Sequence, residues 1–514
     1  MNRRIFIKSG IYAGLGFFFA ESLACTKDEF FGQSLLHPAI TPSQGIDLYG
    51  SILDDKRNPV PGVVISDGYT CVQTDEKGIY QMKRNPKALI VYYSVPEKYT
   101  VNTFNKNIGM ASFFSRLTTN KRYNFDLKKL SEIENDFTLV AIGDPQVKNA
   151  ESMVRYKNET IPDLKEFVKS AILPCYGIVL GDTVQDRPEF FIQMREVTGS
   201  VNIPYFTTIG NHDKTGGSES RPRHTTVFTS TFGPVNYSWN RGKVHFVSLD
   251  NVLYSSNSKY SGGFEDHQIK WLKQDLSYVP RNKMIIVYYH IPMRHDKFDN
   301  RSAFFEALQE FDNIHLMCGH THYHENYHIT SPRNVHEHIH GAVCGSWWNS
   351  TINTDGTPNG YMIYQVHGTE LKSWYYKAVN HAKDFQIRMH KGNTRFGGQY
   401  GYFSYNRDEN IIANIWNADS EWTIEAYEDN AFAGNPIKLS NIIDAFAAGY
   451  HVGELNKKPN DFRAMLGRES NKHAYLHTIR NKNAQIIEIR AIDRFGVTYS
   501  QTEIIKDLAT AKRY

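Results

Sequence analysis

Residues 137–146 read FTLVAIGDPQ, an apolar run that ends in a glycine and then in polar and turn-forming residues. The run is typical of a buried strand, and the residues after it are typical of a loop. Four later segments repeat this arrangement. The five runs are residues 137–142, 176–180, 205–209, 284–289 and 314–318, and the motifs that follow them are Asp144-Pro145-Gln146, Gly181-Asp182, Gly210-Asn211-His212-Asp213, His290 and Gly319-His320-Thr321-His322.

The residue types in these motifs indicate metal binding. In an open α/β sheet, ligands collect outside the carboxyl ends of the strands, so the five motifs are predicted to meet there. Carboxylate and amide oxygens and imidazole nitrogens suit divalent first-row metals, and the lack of cysteine among them argues against a structural zinc site. His320 and His322 are two residues apart on an extended segment, so both rings can point the same way. The set favours two metal ions that share one carboxylate.

The five motifs resemble the pattern D-x-H, G-D, G-N-H-D/E, H and G-H-x-H of calcineurin-like metallophosphoesterases. The resemblance implies an α/β fold, with metallophosphoesterase β-sandwich sheets covered by helices. It also implies that Asp182 bridges two divalent metal ions, and that His212 faces the scissile phosphate as an acid or a cation without binding metal. The implied ligands that complete the first metal are Asp144, Gln146 and His322, and those that complete the second are Asn211, His290 and His320.

One position departs from the family pattern, because Gln146 stands where histidine is usual. An amide oxygen is a hard, neutral ligand, which favours Mn²⁺ or Fe over Zn²⁺. The alternative is that Gln146 does not bind metal and that the first ion has three protein ligands.

The two-metal arrangement predicts a hydrolytic mechanism. Two cations about 3.5–4 Å apart would lower the pKa of a bridging water, supply hydroxide in line with phosphorus and neutralise charge on the phosphoryl oxygens. His212 would then need an orienting partner. Asp186 and Asp213 are the candidates, on their proximity to the motifs.

Five further residues are candidates for substrate binding. Trp347 and Trp348 lie among Gly, Ser and Asn residues after the last ligands and could form a stacking platform, although a place in an interdomain core is an equal alternative. Arg294 is a possible phosphate clamp by residue type, as are Arg221 and Arg223.

The N-terminus resembles a twin-arginine export signal of the lipoprotein type, predicted over residues 1–25. Its apolar stretch is too short to span a bilayer, and Cys25 would be the lipidated residue. The alternative is an ordinary cleaved secretory peptide. We therefore expect an exported periplasmic or cell-surface lipoprotein of a Gram-negative bacterium, held at the membrane by a lipid anchor.

The 514 residues allow several domains. We predict an N-terminal β-sandwich over residues 40–131, a catalytic domain over 136–377 and a C-terminal β-rich domain over 382–514. Within the catalytic domain, helices are expected at residues 150–170, 263–276 and 302–311. The net charge of +4 is too small to indicate a nucleic-acid-binding surface.

These observations predict an exported dinuclear-metal hydrolase that cleaves phosphate monoesters or diesters. Its substrate would be a phosphorylated small molecule, or a glycan or lipid head group; the oligomeric state is left open. The alternative is a surface lipoprotein that binds a glycan or another ligand and keeps a structural metal site. His212 argues against this alternative, because a binding module needs no histidine there that does not bind metal.

Overall fold

The computed structural model describes residues 37–294, 297–398, 400–440, 442–455 and 471–509. The predicted export signal and Cys25 lie outside the described residues. Within the described part of the chain, no helix is both long enough and apolar enough to cross a membrane.

The N-terminal part forms two small sheets, with strand orders β4-β1-β9 and β3-β2-β5-β8. The hairpin β6–β7 instead extends the large central sheet, where Met110 pairs with Tyr205. The N-terminal part is therefore joined to the central part by sheet pairing. The strands are β1 (Leu48–Asp54), β2 (Val64–Ser66), β3 (Cys71–Gln73), β4 (Ile79–Met82), β5 (Ile90–Tyr93), β6 (Thr103–Asn105), β7 (Ile108–Ala111), β8 (Phe114–Arg116) and β9 (Phe125–Leu127).

The central part contains two sheets, ordered β23-β22-β10-β11-β12-β7-β6 and β13-β14-β17-β19-β21-β20. Strands β10, β11 and β12 run parallel in the first sheet, and β14, β17, β19 and β21 run parallel in the second. A third, small sheet is ordered β15-β16-β18. The strands are β10 (Asp136–Ile142), β11 (Cys175–Leu180), β12 (Tyr205–Thr208), β13 (Tyr237–Arg241), β14 (Val244–Ser248), β15 (Val252–Tyr254), β16 (Tyr260–Gly263), β17 (Met284–Tyr288), β18 (Phe298–Asp299), β19 (Ile314–Cys318), β20 (Glu325–Ile329), β21 (Val335–Ile339), β22 (Gly360–His367) and β23 (Glu370–Ala378).

The two large sheets pack face to face around an aromatic core. The Trp239 ring lies between Phe206 of the first sheet, at 4.1 Å, and Phe246 of the second, at 3.9 Å between centroids. Strand β10 is buried on both faces: Leu139 belongs to this core, whereas Val140 belongs to a second core beneath the helices. Burial on both faces explains why this strand is apolar at most of its positions rather than at alternate ones.

Helices cover the outer face of the first sheet and the flank of the second. They are α1 (Ala150–Arg155), α2 (Ile161–Ser170), α3 (Phe191–Gly199), α4 (Thr226–Phe232), α5 (Asp266–Ser277) and α6 (Arg301–Ala307), with a π-helical turn at Tyr156–Thr160 that joins α1 to α2. Helix α7 (Ala445–Ala448) lies in the C-terminal part, where Ala445 packs in a core with Phe403 and Ile412.

The structure confirms the helix predicted at residues 150–170, and the other two predicted helices are shorter than expected. Helix α5 begins at Asp266 because β16 takes up Tyr260–Gly263 and Glu265 caps the helix. Helix α6 ends at Ala307.

The C-terminal part is β-rich, with sheet orders β24-β25-β29-β28 and β27-β26-β30-β31. Alternate residues of β26, such as Ile424 and Ala426, are buried against Ile487 and Ile489 of β30. The predicted fold class, α/β with β-rich flanking regions, is confirmed. The strands are β24 (Ile387–Lys391), β25 (Asn410–Ile415), β26 (Thr423–Glu428), β27 (Ala431–Gly434), β28 (Ile437–Lys438), β29 (Ala474–Thr478), β30 (Ile486–Ile492) and β31 (Thr498–Ile504).

Candidate metal centre

The five motifs begin where β10, β11, β12, β17 and β19 end, and their side chains converge at that edge of the two sheets. The backbone at several of these positions is left-handed, which costs a residue other than glycine about 1–3 kcal/mol. Strain of this kind concentrated in one place indicates a functional site. The residues with positive φ are Asp144 (44°), Gln146 (40°), Asp182 (47°), His320 (73°) and His322 (52°).

Four predicted ligands form one group around His290. Its Nε2 atom lies 3.0 Å from Oδ1 of Asn211, 3.2 Å from Nδ1 of His320 and 3.3 Å from Oδ2 of Asp182. Donor atoms that are each about 2.1 Å from a shared ion stand about 3.0–3.4 Å apart in octahedral or tetrahedral geometry. The donor types and their separations therefore fit one divalent cation.

Hydrogen bonds fix the orientation of His290. Its Nδ1–H donates to the carbonyl oxygen of Leu180 over 2.8 Å, and its backbone N–H donates to Oδ1 of Asn251 over 3.0 Å. Because Nδ1 carries the proton, the lone pair of Nε2 points into the group.

A second group forms around Asp144 and His322. Nε2 of His322 lies 3.7 Å from Oδ1 of Asp144, and Nδ1–H of His322 donates to the carbonyl oxygen of Gly345 over 3.2 Å. Burial lowers the pKa of His322 to about 4, which keeps the ring neutral, the form that binds metal. Asp144 also accepts a hydrogen bond from the backbone N–H of His320 over 2.9 Å, which ties the two groups together.

Asp182 contacts predicted ligands of both metal ions. Its Oδ2 atom accepts a hydrogen bond from Nε2 of Gln146 over 3.0 Å and lies 3.3 Å from His290. Its Oδ1 atom accepts a hydrogen bond from the backbone N–H of His212 over 2.9 Å. This central position is the one that a bridging carboxylate needs.

The amide of Gln146 is turned with its nitrogen towards Asp182, and its Oε1 lies 3.9 Å from Sγ of Cys344. An amide nitrogen has no lone pair to give to a metal, so ligation by Gln146 requires rotation of the amide by 180°. Cys344 was not among the predicted site residues. Burial raises the pKa of its thiol well above the ordinary value, so it remains protonated.

His212 lies at the edge of the centre, with 26% of its side chain exposed. Its Nδ1 atom is 2.8 Å from Oδ2 of Asp186, and Arg223 donates a hydrogen bond to the other oxygen of Asp186. Burial opposes protonation of His212, but the charges of Asp182 and Asp186 outweigh it and raise the pKa above the ordinary value. The ring is thus held by Asp186, with Nε2 left for a substrate.

Asp213, the other candidate partner of His212, has a different role. Its carboxylate accepts hydrogen bonds from the backbone N–H groups of Thr183 and Val184, each over 3.1 Å, and of Gly210 over 2.9 Å. It therefore fastens the loop after β11 to the loop after β12.

Two glycines of the motifs lie so close to predicted ligands that no other residue fits at their positions. A Cβ atom at Gly210 would lie 2.1 Å from Oδ1 of Asp182, and one at Gly319 would lie 2.3 Å from Oδ2 of Asp144. Any side chain at either position would displace a predicted ligand.

The structure corrects the prediction for Trp348 and leaves Trp347 as a candidate. Trp348 is only 6% exposed, belongs to the core beneath the helices, and donates a hydrogen bond from Nε1 to the carbonyl oxygen of Pro145. Its ring is therefore not available to a substrate, and its role is in packing. Trp347 stacks on His322 with ring centroids 4.1 Å apart.

The structure also gives Arg294 a different partner from the predicted phosphate. Its guanidinium forms an ion pair with Glu325, and both side chains are 11% exposed. The positive charge is already compensated, so the prediction of a phosphate clamp at Arg294 is not supported. Of the other arginines, Arg223 contacts Asp186 within the site, as described above.

Sequence reasoning missed two tyrosines beside the centre. Tyr260 lies edge-on to His320, with centroids 6.0 Å apart, and Tyr254 donates a hydrogen bond to the carbonyl oxygen of Asn211 over 3.0 Å. Neither follows an apolar run that ends at this edge of the sheets, so no sequence signal linked them to the motifs.

Comparison with protein families matched three regions of the chain. Residues 47–130 match the N terminal of Calcineurin-like phosphoesterase, residues 137–324 match Calcineurin-like phosphoesterase, and residues 337–499 match the C terminal of Calcineurin-like phosphoesterase. Comparison with curated proteins found no match.

Solved structures with similarity include three hydrolases. A dimetal phosphatase from Danio rerio is 13% identical, with 45% of this chain and 93% of that chain covered and a TM-score of 0.33. A purple acid phosphatase from yellow lupin (Lupinus luteus) seeds is 12% identical, with 47% of this chain and 51% of that chain covered and a TM-score of 0.35. A 5'-nucleotidase from Candida albicans is 12% identical, with 48% of this chain and 51% of that chain covered and a TM-score of 0.29.

The family matches follow one another along the chain and leave only short intervals between residues 47 and 499. With the motifs present at five strand ends, the chain belongs to the calcineurin-like phosphoesterase superfamily, in the subfamily that has both an N-terminal and a C-terminal β-rich region.

Proposed function

We propose that the protein hydrolyses phosphate esters with two divalent metal ions. The observation that carries the proposal is the convergence of the predicted ligands in two groups that share Asp182, with His212 beside them and held by a different carboxylate. The residues proposed to hold one ion are Asp144, Gln146, His322 and Asp182, and those proposed for the other are Asn211, His290, His320 and Asp182.

Bound ions would supply a water of lowered pKa and would neutralise charge on the phosphoryl group. The chain supplies the remaining functions. Asp182 holds the two groups together, and the carbonyl oxygen of Leu180 places the proton of a neutral His290 ring on Nδ1, so that Nε2 is the atom that would bind metal. His212 directs Nε2 at the substrate, where it can donate a proton to the leaving oxygen or bind a phosphoryl oxygen.

We propose Mn²⁺ or Fe as the metal, on the oxygen-rich ligand set that includes Gln146. The substrate is a phosphomonoester or a phosphodiester of a small molecule, or of a glycan or lipid head group. The metal motifs serve either ester class, and the surrounding cleft decides between them.

The test compares hydrolysis of p-nitrophenyl phosphate and bis-p-nitrophenyl phosphate by protein stripped of metal and reloaded with Mn²⁺. Metal-dependent turnover supports the proposal, and the faster substrate identifies the ester class. An Asp182→Ala variant serves as the control for contaminating phosphatase. If two ions bind and neither ester is cleaved with any metal, a ligand-binding lipoprotein with a structural metal site, or a phosphoesterase of narrow specificity, takes the place of this proposal.

We also propose that the protein is exported and lipidated at Cys25, on the sequence of the N-terminal segment alone. Metabolic labelling with a palmitate analogue tests this proposal. Label is expected on the wild-type protein and not on Cys25→Ser, and an unlabelled wild-type protein in the membrane-free fraction would contradict it.

A further inference from the structure

The β15–β16 hairpin places an exposed aromatic ring next to the candidate metal centre. Tyr260 is 40% exposed, and the edge of its ring faces the ring of His320, with centroids 6.0 Å apart and planes at 80°. An exposed aromatic side chain beside a metal ligand is in reach of whatever projects from a bound phosphate.

The ring is held on an ordered support. Tyr260 pairs directly with Tyr254 across the hairpin, and the two ring centroids are 5.2 Å apart. Tyr254 is in turn fixed by its hydrogen bond to the carbonyl oxygen of Asn211 and by the guanidinium of Arg223, 5.4 Å from its ring centre. A surface that is formed before a ligand arrives loses little conformational entropy on binding.

The surface formed by Tyr260, Tyr254 and Arg223 consists largely of aromatic rings, and most of its polar groups already have hydrogen-bond partners. The Tyr254 hydroxyl is engaged with Asn211. Arg223 donates from Nε to Asn257 and from Nη1 to Asp186 and to the carbonyl oxygen of Lys214. A sugar ring would need partners for several hydroxyl groups, whereas a flat aromatic ring needs only a stacking surface.

We propose that Tyr260, supported by Tyr254 and Arg223, is a subsite for the leaving group, and that the preferred substrates are phosphate esters of alcohols that carry an aromatic ring. This inference rests on the proposed phosphoesterase function. In the reaction, a water oxygen bonds to phosphorus and the water gives up a proton, the bond from phosphorus to the ester oxygen breaks, and that oxygen takes up a proton as the aromatic alcohol leaves.

The test uses benzyl phosphate and cyclohexylmethyl phosphate, or their methyl diesters if diesters prove the faster class. Both substrates release a primary alcohol of similar size, and only one has an aromatic ring. Release of inorganic phosphate, or of the alcohol from the diesters, gives kcat/KM for the Mn²⁺-loaded wild type and for Tyr260→Leu and Tyr260→Phe. Tyr402→Leu is the matched control, because Tyr402 is 50% exposed on the C-terminal part.

Wild-type protein should prefer the benzyl ester, and Tyr260→Leu should lose about tenfold more kcat/KM on it than on the cyclohexylmethyl ester. Tyr260→Phe should keep the preference, and Tyr402→Leu should match the wild type. If Tyr260→Leu loses kcat/KM equally on the two esters, the proposed subsite is wrong. If Tyr260→Phe no longer prefers the benzyl ester, the proposal is also wrong, because the preference then depends on the hydroxyl group rather than on the ring. If the wild type hydrolyses no phosphate ester with any metal, the proposed function itself fails, and this inference fails with it.

Discussion

The carboxylate of Asp186 links His212 to Arg223: Nδ1 of His212 lies 2.8 Å from one carboxylate oxygen, and Arg223 donates to the other. A carboxylate in this position fixes which ring nitrogen carries the proton. The proton on Nδ1 serves the hydrogen bond to Asp186, which leaves Nε2 for the substrate in the proposed reaction.

The first prediction concerns the role of His212. His212→Asn should lower kcat by about 10²–10⁴-fold, because proton donation to the leaving oxygen is lost, while the metal content stays at the wild-type value. Steady-state kinetics and elemental analysis of the same preparation measure the two quantities. Full turnover in the variant would remove His212 from the mechanism.

The second prediction concerns Asp186, which acts through His212. Asp186→Asn should lower kcat by about 10–100-fold, since the ring loses its charged partner but remains in place. The double variant His212→Asn/Asp186→Asn should be no slower than His212→Asn alone, because the two residues form one unit. An additive loss in the double variant would mean that Asp186 has a separate function.

The third prediction tests Asp182 as the shared ligand. Asp182→Ala should lose both metal ions and all metal-dependent activity, because its carboxylate contacts both groups of ligands. Elemental analysis of the variant should give well under one ion per chain. Asp136→Ala, at a side chain that is 43% exposed, is the control and should bind metal as the wild type does. Retention of both ions without Asp182 would show that the two groups bind independently.

The fourth prediction concerns the departure from the family pattern at Gln146. Gln146→His should shift metal preference towards Zn²⁺, because imidazole replaces a neutral oxygen donor. Gln146→Glu is the matched comparison and should favour Mn²⁺, because it restores an oxygen donor with a charge. Competition between Zn²⁺ and Mn²⁺ during reloading measures the preference. If all three proteins have the same metal profile, residue 146 is not a ligand.

The sequence was sufficient to predict the five strands and the convergence of the motifs, because each motif follows directly on an apolar run. It could not decide between Asp186 and Asp213 as the partner of His212. Both lie near the motifs, and the choice depends on the direction of a side chain: Asp213 turns inward and accepts three backbone N–H groups. Nor could it decide between a stacking surface and a place in a core for Trp348, because packing determines the direction of its ring.

Tyr260 could not be predicted from local sequence. The hairpin β15–β16, which pairs with β18, lies before helix α5 in the chain, yet its Tyr260 contacts His320 in the loop after β19. Contacts of this kind depend on the tertiary fold rather than on a motif.

Strand β21 carries histidines into the interior of the sandwich. His336 and His338 are 7% and 1% exposed, and their rings stack 3.8 Å apart. The edge of the Trp374 ring and the ring of His315 also contact this pair. Burial lowers the pKa of both histidines well below the ordinary value, and the nearby positive charge of Arg494 acts in the same direction.

The fifth prediction follows from this burial. In the folded protein both rings stay neutral as the pH falls, whereas in the unfolded chain they take up protons below about pH 6.5. The unfolded state therefore binds more protons, and the free energy of unfolding decreases on acidification, by about 2 kcal/mol for each ring at pH 5. Urea denaturation of EDTA-stripped protein at pH 7.5 and pH 5.0 measures the decrease without a contribution from metal release.

Replacing one histidine with a ring that does not titrate measures the contribution of that histidine to the decrease in the free energy of unfolding at low pH. Between pH 7.5 and pH 5.0, the free energy of unfolding of His338→Phe should fall by about 2 kcal/mol less than that of the wild type. This difference does not depend on how stable the variant is at pH 7.5. If the free energy of unfolding falls by the same amount in His338→Phe and in the wild type, His338 binds as many protons in the folded protein as in the unfolded chain. Its burial then makes no contribution to the loss of stability at low pH.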